Sequence, residues 1–146
     1  MNHEPRELRT FILHLLPSTR AVRLTEMTIE PTYVLLQLTT TAPTVCCPRC
    51  AAPSASVHSR YQRHLMDLPW GTRPVRLRLT VRTFICRNPR CRRRIFTERL
   101  PELVAAYARK THRLVTALQA IGVALGGQAG ARLTSRLGFP ASRDTL

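Results

Sequence analysis

Polar and apolar positions alternate most regularly near the middle of the chain. Val75, Leu77, Leu79 and Val81 are separated by Arg76, Arg78 and Thr80, with Arg82 following. A period of two marks a half-buried β-strand, and this one runs directly into Cys86. Upstream, Val22 to Glu30 and Tyr33 to Thr41 are rich in β-branched, Leu and Tyr residues and flank Glu30-Pro31-Thr32, which predicts a hairpin. Val57 to Leu65 reads as a further strand. The run Asp67-Leu68-Pro69-Trp70-Gly71 reads as a turn that Asp67 stabilises. Helical spacing occupies both ends of the chain. Leu8, Phe11, Ile12, Leu15 and Leu16 predict an amphipathic helix from Glu4 to Leu16, closed by Pro17. Leu103, Tyr107, Leu114, Leu118, Ile121 and Leu125 form a second stripe that breaks or restarts at Thr111, a candidate N-cap, and ends at Gly126-Gly127. A short helix from Gln128 to Leu137 follows, then a Gly138-Phe139-Pro140 turn and Ser142, placed to cap a helix opening with Arg143-Asp144-Thr145. The expected class is α+β. A small antiparallel, ribbon-like sheet with an N-terminal helix fills 1–100, and a helical segment in helix-turn-helix order fills 101–146.

Cysteine spacing adds chemistry to this frame. Cys47-Pro48-Arg49-Cys50 and Cys86-Arg87-Asn88-Pro89-Arg90-Cys91 hold two thiols each, in loops tight enough to face one ion. Two such pairs make a tetrahedral S4 site, and Zn2+ is the metal it selects over an iron–sulfur cluster, whose cysteines are more closely run. The alternative is two disulfides or four buried thiols. The odd total of five cysteines favours zinc, as does an opening Met1-Asn2-His3-Glu4-Pro5 without the charged head and apolar run of a signal peptide. The expected ligands are Cys47, Cys50, Cys86 and Cys91; Cys46 breaks the spacing and is expected to be a free thiol. The spacer from Ala51 to Ile85 is longer than the ~15–20 residues usual in a compact ribbon. His58 and His64 are expected in the sheet or on phosphate rather than on the metal.

Charge then narrows the partner. The chain has 146 residues, with 23 basic against 8 acidic, for a net charge of +15, and Lys110 is its only lysine. Such an excess points to an acidic polymer, nucleic acid before membrane. The expected surroundings are a reducing, bacterial-type cytosol with the protein at the nucleoid, and no apolar run is expected to span a bilayer. Candidate DNA contacts are Arg60, Arg63, Arg76, Arg78, Arg82, Arg92, Arg93, Arg94, Ser142 and Arg143. Arg76, Arg78 and Arg82 form a row along one strand face, with a repeat of ~7 Å that approaches the phosphate spacing of a nucleic-acid strand.

Several motifs together resemble the N-terminal zinc finger of ISL-type bacterial insertion-sequence transposases. They are Cys47-Pro48-Arg49-Cys50, Val57-His58-Ser59-Arg60-Tyr61-Gln62-Arg63, Asp67-Leu68-Pro69-Trp70-Gly71, Arg82-Thr83-Phe84-Ile85-Cys86, and Cys91 through Ile95-Phe96-Thr97-Glu98-Arg99-Leu100. Gly126-Gly127 through Leu146 resembles the helix-turn-helix that follows in those proteins. The resemblance implies binding to the terminal repeats of the element, with catalysis by a downstream acidic-triad nuclease domain. The sequence stops before such a domain, so a truncated or split N-terminal piece without enzymatic activity is expected. Self-association or association with a full-length transposase is also expected. Asp67, Glu98, Glu102 and Asp144 are scattered among turns and arginines, unlike carboxylates converging on magnesium, and Glu98 is expected to pair with an arginine. Two other functions fit the residues: a zinc-ribbon module that binds RNA or a protein partner, and a short regulator of transposition that occupies element ends.

Overall fold

The structure is a computed structural model describing residues 21–146, so the helix expected over 4–16 lies outside the described residues. Two alternating segments, β1 (Val22–Ile29) and β2 (Val34–Thr40), form the antiparallel hairpin expected from the Glu30-Pro31-Thr32 turn. Two much longer strands, β5 (Val57–Trp70) and β6 (Arg73–Ile85), form a second hairpin. Between the hairpins lie two short strands, β3 (Val45–Cys46) and β4 (Pro53–Ser54), and β7 (Ile95–Thr97) follows them. In space the main sheet runs β1-β2-β6-β5, with β7 adding to the far end of β6.

That order corrects the expected all-antiparallel sheet. β2 and β6 pair in parallel, Val34 opposite Val75 through Thr39 opposite Thr80, so the sheet is mixed. The alternation on each strand reveals which side is buried and leaves the neighbour's direction open. The expected turn at Asp67–Gly71 is also corrected. The strand continues to Trp70 with a register shift between Asp67 and Trp70, and the chain reverses at Gly71-Thr72. Pro69 has no N–H for the ladder, which accounts for an irregular stretch in place of a turn.

One face of the sheet is the core. Leu36, Leu38, Val75, Leu77, Leu79 and Val81 are almost wholly excluded from solvent, and the loop residues Leu100, Leu103 and Val104 cover them. Burying each such side chain stabilises the fold by about 1.5–3 kcal/mol. The cysteines have a core of their own. Phe84 and Phe96, with ring centroids 6.0 Å apart, pack with Cys47, Cys86 and Cys91 at the far end of β6. A single strand thus serves two apolar clusters.

The helical stripe forms a helix only after Thr111. Residues 101–110 are turn and irregular chain, and α1 runs His112–Arg136 with Thr111 Oγ1 accepting from the Leu114 backbone N–H at 3.3 Å. By length and mean hydropathy alone, α1 is long and apolar enough to cross a membrane. It is not one rod, however. Gly126 takes φ 72° and ψ 171°, and a Cβ placed at Gly130 would sit 3.2 Å from Ile121 Cγ2. In a straight helix these two residues would be about 13 Å apart along the axis, so the halves fold back on each other where the sequence expects a break. Leu114, Leu118 and Phe139 bury against Met66 and Leu68 of β5 and against Leu146. Gly138, at φ +83°, lies so close to Thr72 O that a Cβ would come within 2.1 Å of it, so only glycine fits there.

Asp67 joins sheet to helix. Its carboxylate is wholly buried and accepts from Thr111 Oγ1 at 2.7 Å and Arg113 Nε at 2.6 Å, and it pairs with Arg113 Nη2 through its second oxygen. The carboxylate also sits at the N-terminus of α1, where the unsatisfied N–H groups favour negative charge. Backbone bonds from Met66 N to Arg109 O (2.8 Å) and Thr111 N to Met66 O (3.0 Å) lay the chain before α1 along the edge of β5. Asp67→Ala removes the buried carboxylate that Thr111 Oγ1 and Arg113 share, and is expected to cost about 3–5 kcal/mol in urea unfolding. Thr111→Ala removes the cap as well as one bond to Asp67 and is expected to cost about 1–2 kcal/mol.

Candidate metal centre and basic surface

The first knuckle is built on backbone. Cys47 N donates to Ala52 O and Ala51 N donates to Cys47 O, both at 2.9 Å, with Ala51 in the left-handed region at φ 58°. In the second, Cys91 N donates to Asn88 O at 3.1 Å and Arg90 N to Asn88 Oδ1 at 3.0 Å, while Cys86 N is held by Arg94 O at 2.8 Å. Ser54 Oγ donates to Ile85 O at 2.7 Å, tying β4 to the end of β6 and thus one knuckle to the other.

The four sulfurs of Cys47, Cys50, Cys86 and Cys91 lie within 4.8 Å of one another. Cys47 Sγ is 4.0 Å from Cys91 Sγ, and Cys50 Sγ is 3.6 Å from Cys86 Sγ. A zinc ion about 2.3 Å from each of four tetrahedral thiolates would set them about 3.8 Å apart, so the cage has the right size and donor set for Zn2+. Cys46 is exposed on β3 and lies outside it. The long spacer is explained by the β5–β6 hairpin. Val57 pairs with Phe84, so the chain between the cysteine pairs leaves and returns at one place.

The protons of the cage are unevenly held. The backbone N–H of Ala52 is the main influence on Cys50, outweighing burial, and with help from Asn88 brings its thiol down to about 6. At Cys47, burial opposes the thiolate, but the N–H groups of Arg49 and Cys50 outweigh it and the thiol lies below its usual range. Cys86 goes the other way. Although the Asn88 N–H favours its thiolate, burial and hydrogen bonds with Cys50, Cys47 and Cys91 push it up to about 12. At neutral pH the metal-free cage therefore holds thiolate and thiol together, and a divalent cation must displace the protons that remain.

The arginines divide by face. Arg60 pairs opposite Arg82, His64 opposite Arg78 and Met66 opposite Arg76, all on the sheet face away from the core. Arg60 and Arg76 are exposed, and Arg76 lies over the Tyr33 ring at 4.8 Å. Arg92, Arg93 and Arg94 are exposed in the loop leading to β7. Two candidate contacts have work inside the fold. Arg82, with 15 % of its side chain exposed, gives Nη2 to Glu98 Oε2 (2.8 Å) and to Ala42 O (2.7 Å). Glu98 is buried and also accepts from Thr40 Oγ1 and Arg82 N, each at 2.6 Å. Arg63 lies opposite Leu79 on the core side and reaches Ala108 O at 2.7 Å. Neither was separable from the surface arginines in sequence, because their partners lie far along the chain. Ser142 Oγ is 2.8 Å from Thr145 Oγ1, and Arg143 is exposed beside Asp144 at 3.4 Å.

A small mixed sheet that ends in two thiolate knuckles defines a zinc ribbon. Residues 43–91 match the family of the zinc-finger of transposase IS204/IS1001/IS1096/IS1165, so this part of the chain is similar to that zinc finger. No curated protein and no solved structure matched the chain.

Removing one ligand is expected to abolish the site. Cys86→Ser should lose the zinc, read by metal analysis of the purified protein, whereas Cys46→Ser should keep one equivalent. Amide exchange should show protection lost around the knuckles and kept over Val75–Val81, which have a separate core. Zinc added to metal-free protein at pH 7 should release protons, and its affinity should fall on acidification through the Cys50 range near 6. A proton-neutral titration or a pH-independent affinity would contradict the thiolate cage.

Proposed function

We propose that this chain is a zinc-stabilised DNA-binding segment of an insertion-sequence transposase that recognises the terminal repeats of its element. The carrying observation is the gathering of Arg60, Arg76 and Arg78 on one open sheet face, which is built on the same strand that delivers Cys86 to the cage. Guanidinium groups fixed on a rigid sheet position a phosphate backbone, and contacts of this kind set register without reading sequence. Arg92, Arg93 and Arg94, on the loop after Cys91, extend the basic surface. Sequence readout falls to the folded halves of α1 and the turn at Ser142–Thr145, which follow one another in the order of a helix-turn-helix. Zinc is structural in this reading, because four thiolates leave no open position for water or substrate. Asp67 and Glu98 are committed to buried pairs with Arg113 and Arg82, so neither serves a magnesium site, and strand cleavage is not assigned to this chain.

Affinity for duplex DNA should fall steeply with salt. Replacing Arg60, Arg76 and Arg93 together by Ala should reduce the slope of log K against log salt by about one unit for each phosphate no longer neutralised. Thermal unfolding should be nearly unchanged. Arg82 is left out of this triple change because its loss would strand buried Glu98. Anisotropy titrations of duplex DNA and folded RNA at matched salt provide the measurement. An unchanged slope, or tighter binding to the RNA, would overturn the DNA reading.

A further inference from the structure

The outer face of the sheet is not flat. Between β2, β5 and β6 lies an open cleft of about 280 Å³ lined by Tyr33, Leu35, His64, Arg76, Arg78 and Arg109, with Met66 at its side. Three of these side chains are guanidinium groups, and none of the described lining residues is a carboxylate. Glu26, across the ladder from Gln37, is bonded to the Gln37 amide. Arg78 Nε is buried and has no hydrogen-bond partner among the described residues. Like charges held side by side in a sheet repel, and a buried donor without an acceptor costs about 1–3 kcal/mol, so this arrangement calls for an anion. Arg76 is steadied against the Tyr33 ring. Arg109 is anchored through its backbone, whose carbonyl accepts from Met66 N. The cleft is smaller than the usual pocket for a drug-sized molecule, and planar guanidinium donors from several directions match the oxygens of a tetrahedral anion.

We propose that this cleft binds a phosphate group, with Arg76, Arg78 and Arg109 supplying charge and His64 and Tyr33 supplying further donors. Building on the DNA reading, the occupant is a backbone phosphate of the bound strand. Its seat would fix where the strand crosses β6. A free phosphate monoester shares this chemistry and is the other source.

The test uses the full chain with zinc bound. Inorganic phosphate, compared with chloride at equal ionic strength, should raise the unfolding midpoint by about 4 °C at ten times its dissociation constant. Arg78→Met and Arg76→Met should abolish the rise, and Arg132→Gln, an equal charge loss on exposed helix surface, should leave it intact. Should Arg78→Met fail to fold, Arg76→Met decides, because that side chain is exposed. An equal rise in the cleft variants and the parent, or none in the parent, would overturn the proposal. Duplex DNA then identifies the source. A salt slope lower by about one unit in Arg76→Met or Arg78→Met supports a backbone phosphate. An unchanged slope with the phosphate effect intact makes a free phosphate ester the occupant and removes the backbone assignment. A parent protein that responds to phosphate yet does not bind DNA would sink the DNA reading and leave the cleft standing.

Discussion

The fold depends on β6 having hydrogen-bonded neighbours on both edges. β2 runs parallel along one edge from Val75 to Thr80, β5 runs antiparallel along the other, and β7 takes up the end from Thr83 to Ile85. Parallel pairing cannot be made by a tight turn, so β2 and β6 must be brought together by everything between them. The intervening chain is the zinc finger and β5. The cage and the sheet are thus not independent ornaments: the excursion that builds the cage is also the crossover that allows the parallel pair.

Two buried carboxylates fix what the sheet touches. Asp67 ties β5 to the start of α1, and Glu98 ties β6 to Thr40 at the end of β2. Each is surrounded by donors, which makes a charge tolerable inside the fold and costly to disturb. These links explain why an arginine-rich chain keeps a few acidic residues, and why two arginines are withdrawn from the surface.

Much of this was legible in the sequence, and the gaps have physical causes. The alternation from Val75 to Val81, the cysteine spacing and the Thr111 cap are local patterns, and each appears where it was expected. The parallel pairing was hidden because side-chain period is the same whichever way a neighbour runs. Asp67 looked like a turn residue because Pro69, Trp70 and Gly71 follow it, and its actual partners, Thr111 and Arg113, lie far along the chain. Arg63 and Arg82 looked like Arg60 and Arg76 for a similar reason. Nothing adjacent in sequence reveals that carbonyls and a carboxylate from distant loops fill their donors. The cage was legible in its ligands, but its long spacer counted against it until the hairpin closed the gap.

That hairpin also bears on the order of assembly. The reversal at Gly71-Thr72 lets β5 and β6 zip from a local start, the fast kind of β-sheet event, whereas pairing Val34 with Val75 must close a much longer loop. Once the zip reaches Val57 and Phe84, Cys50 and Cys86 are separated by only short stretches of free chain. Loop-closure entropy then scales with those stretches and no longer with the whole spacer. Zinc capture becomes a short search at the end of a preformed ribbon, and lengthening or shortening both arms of the hairpin in step would leave its rate almost untouched.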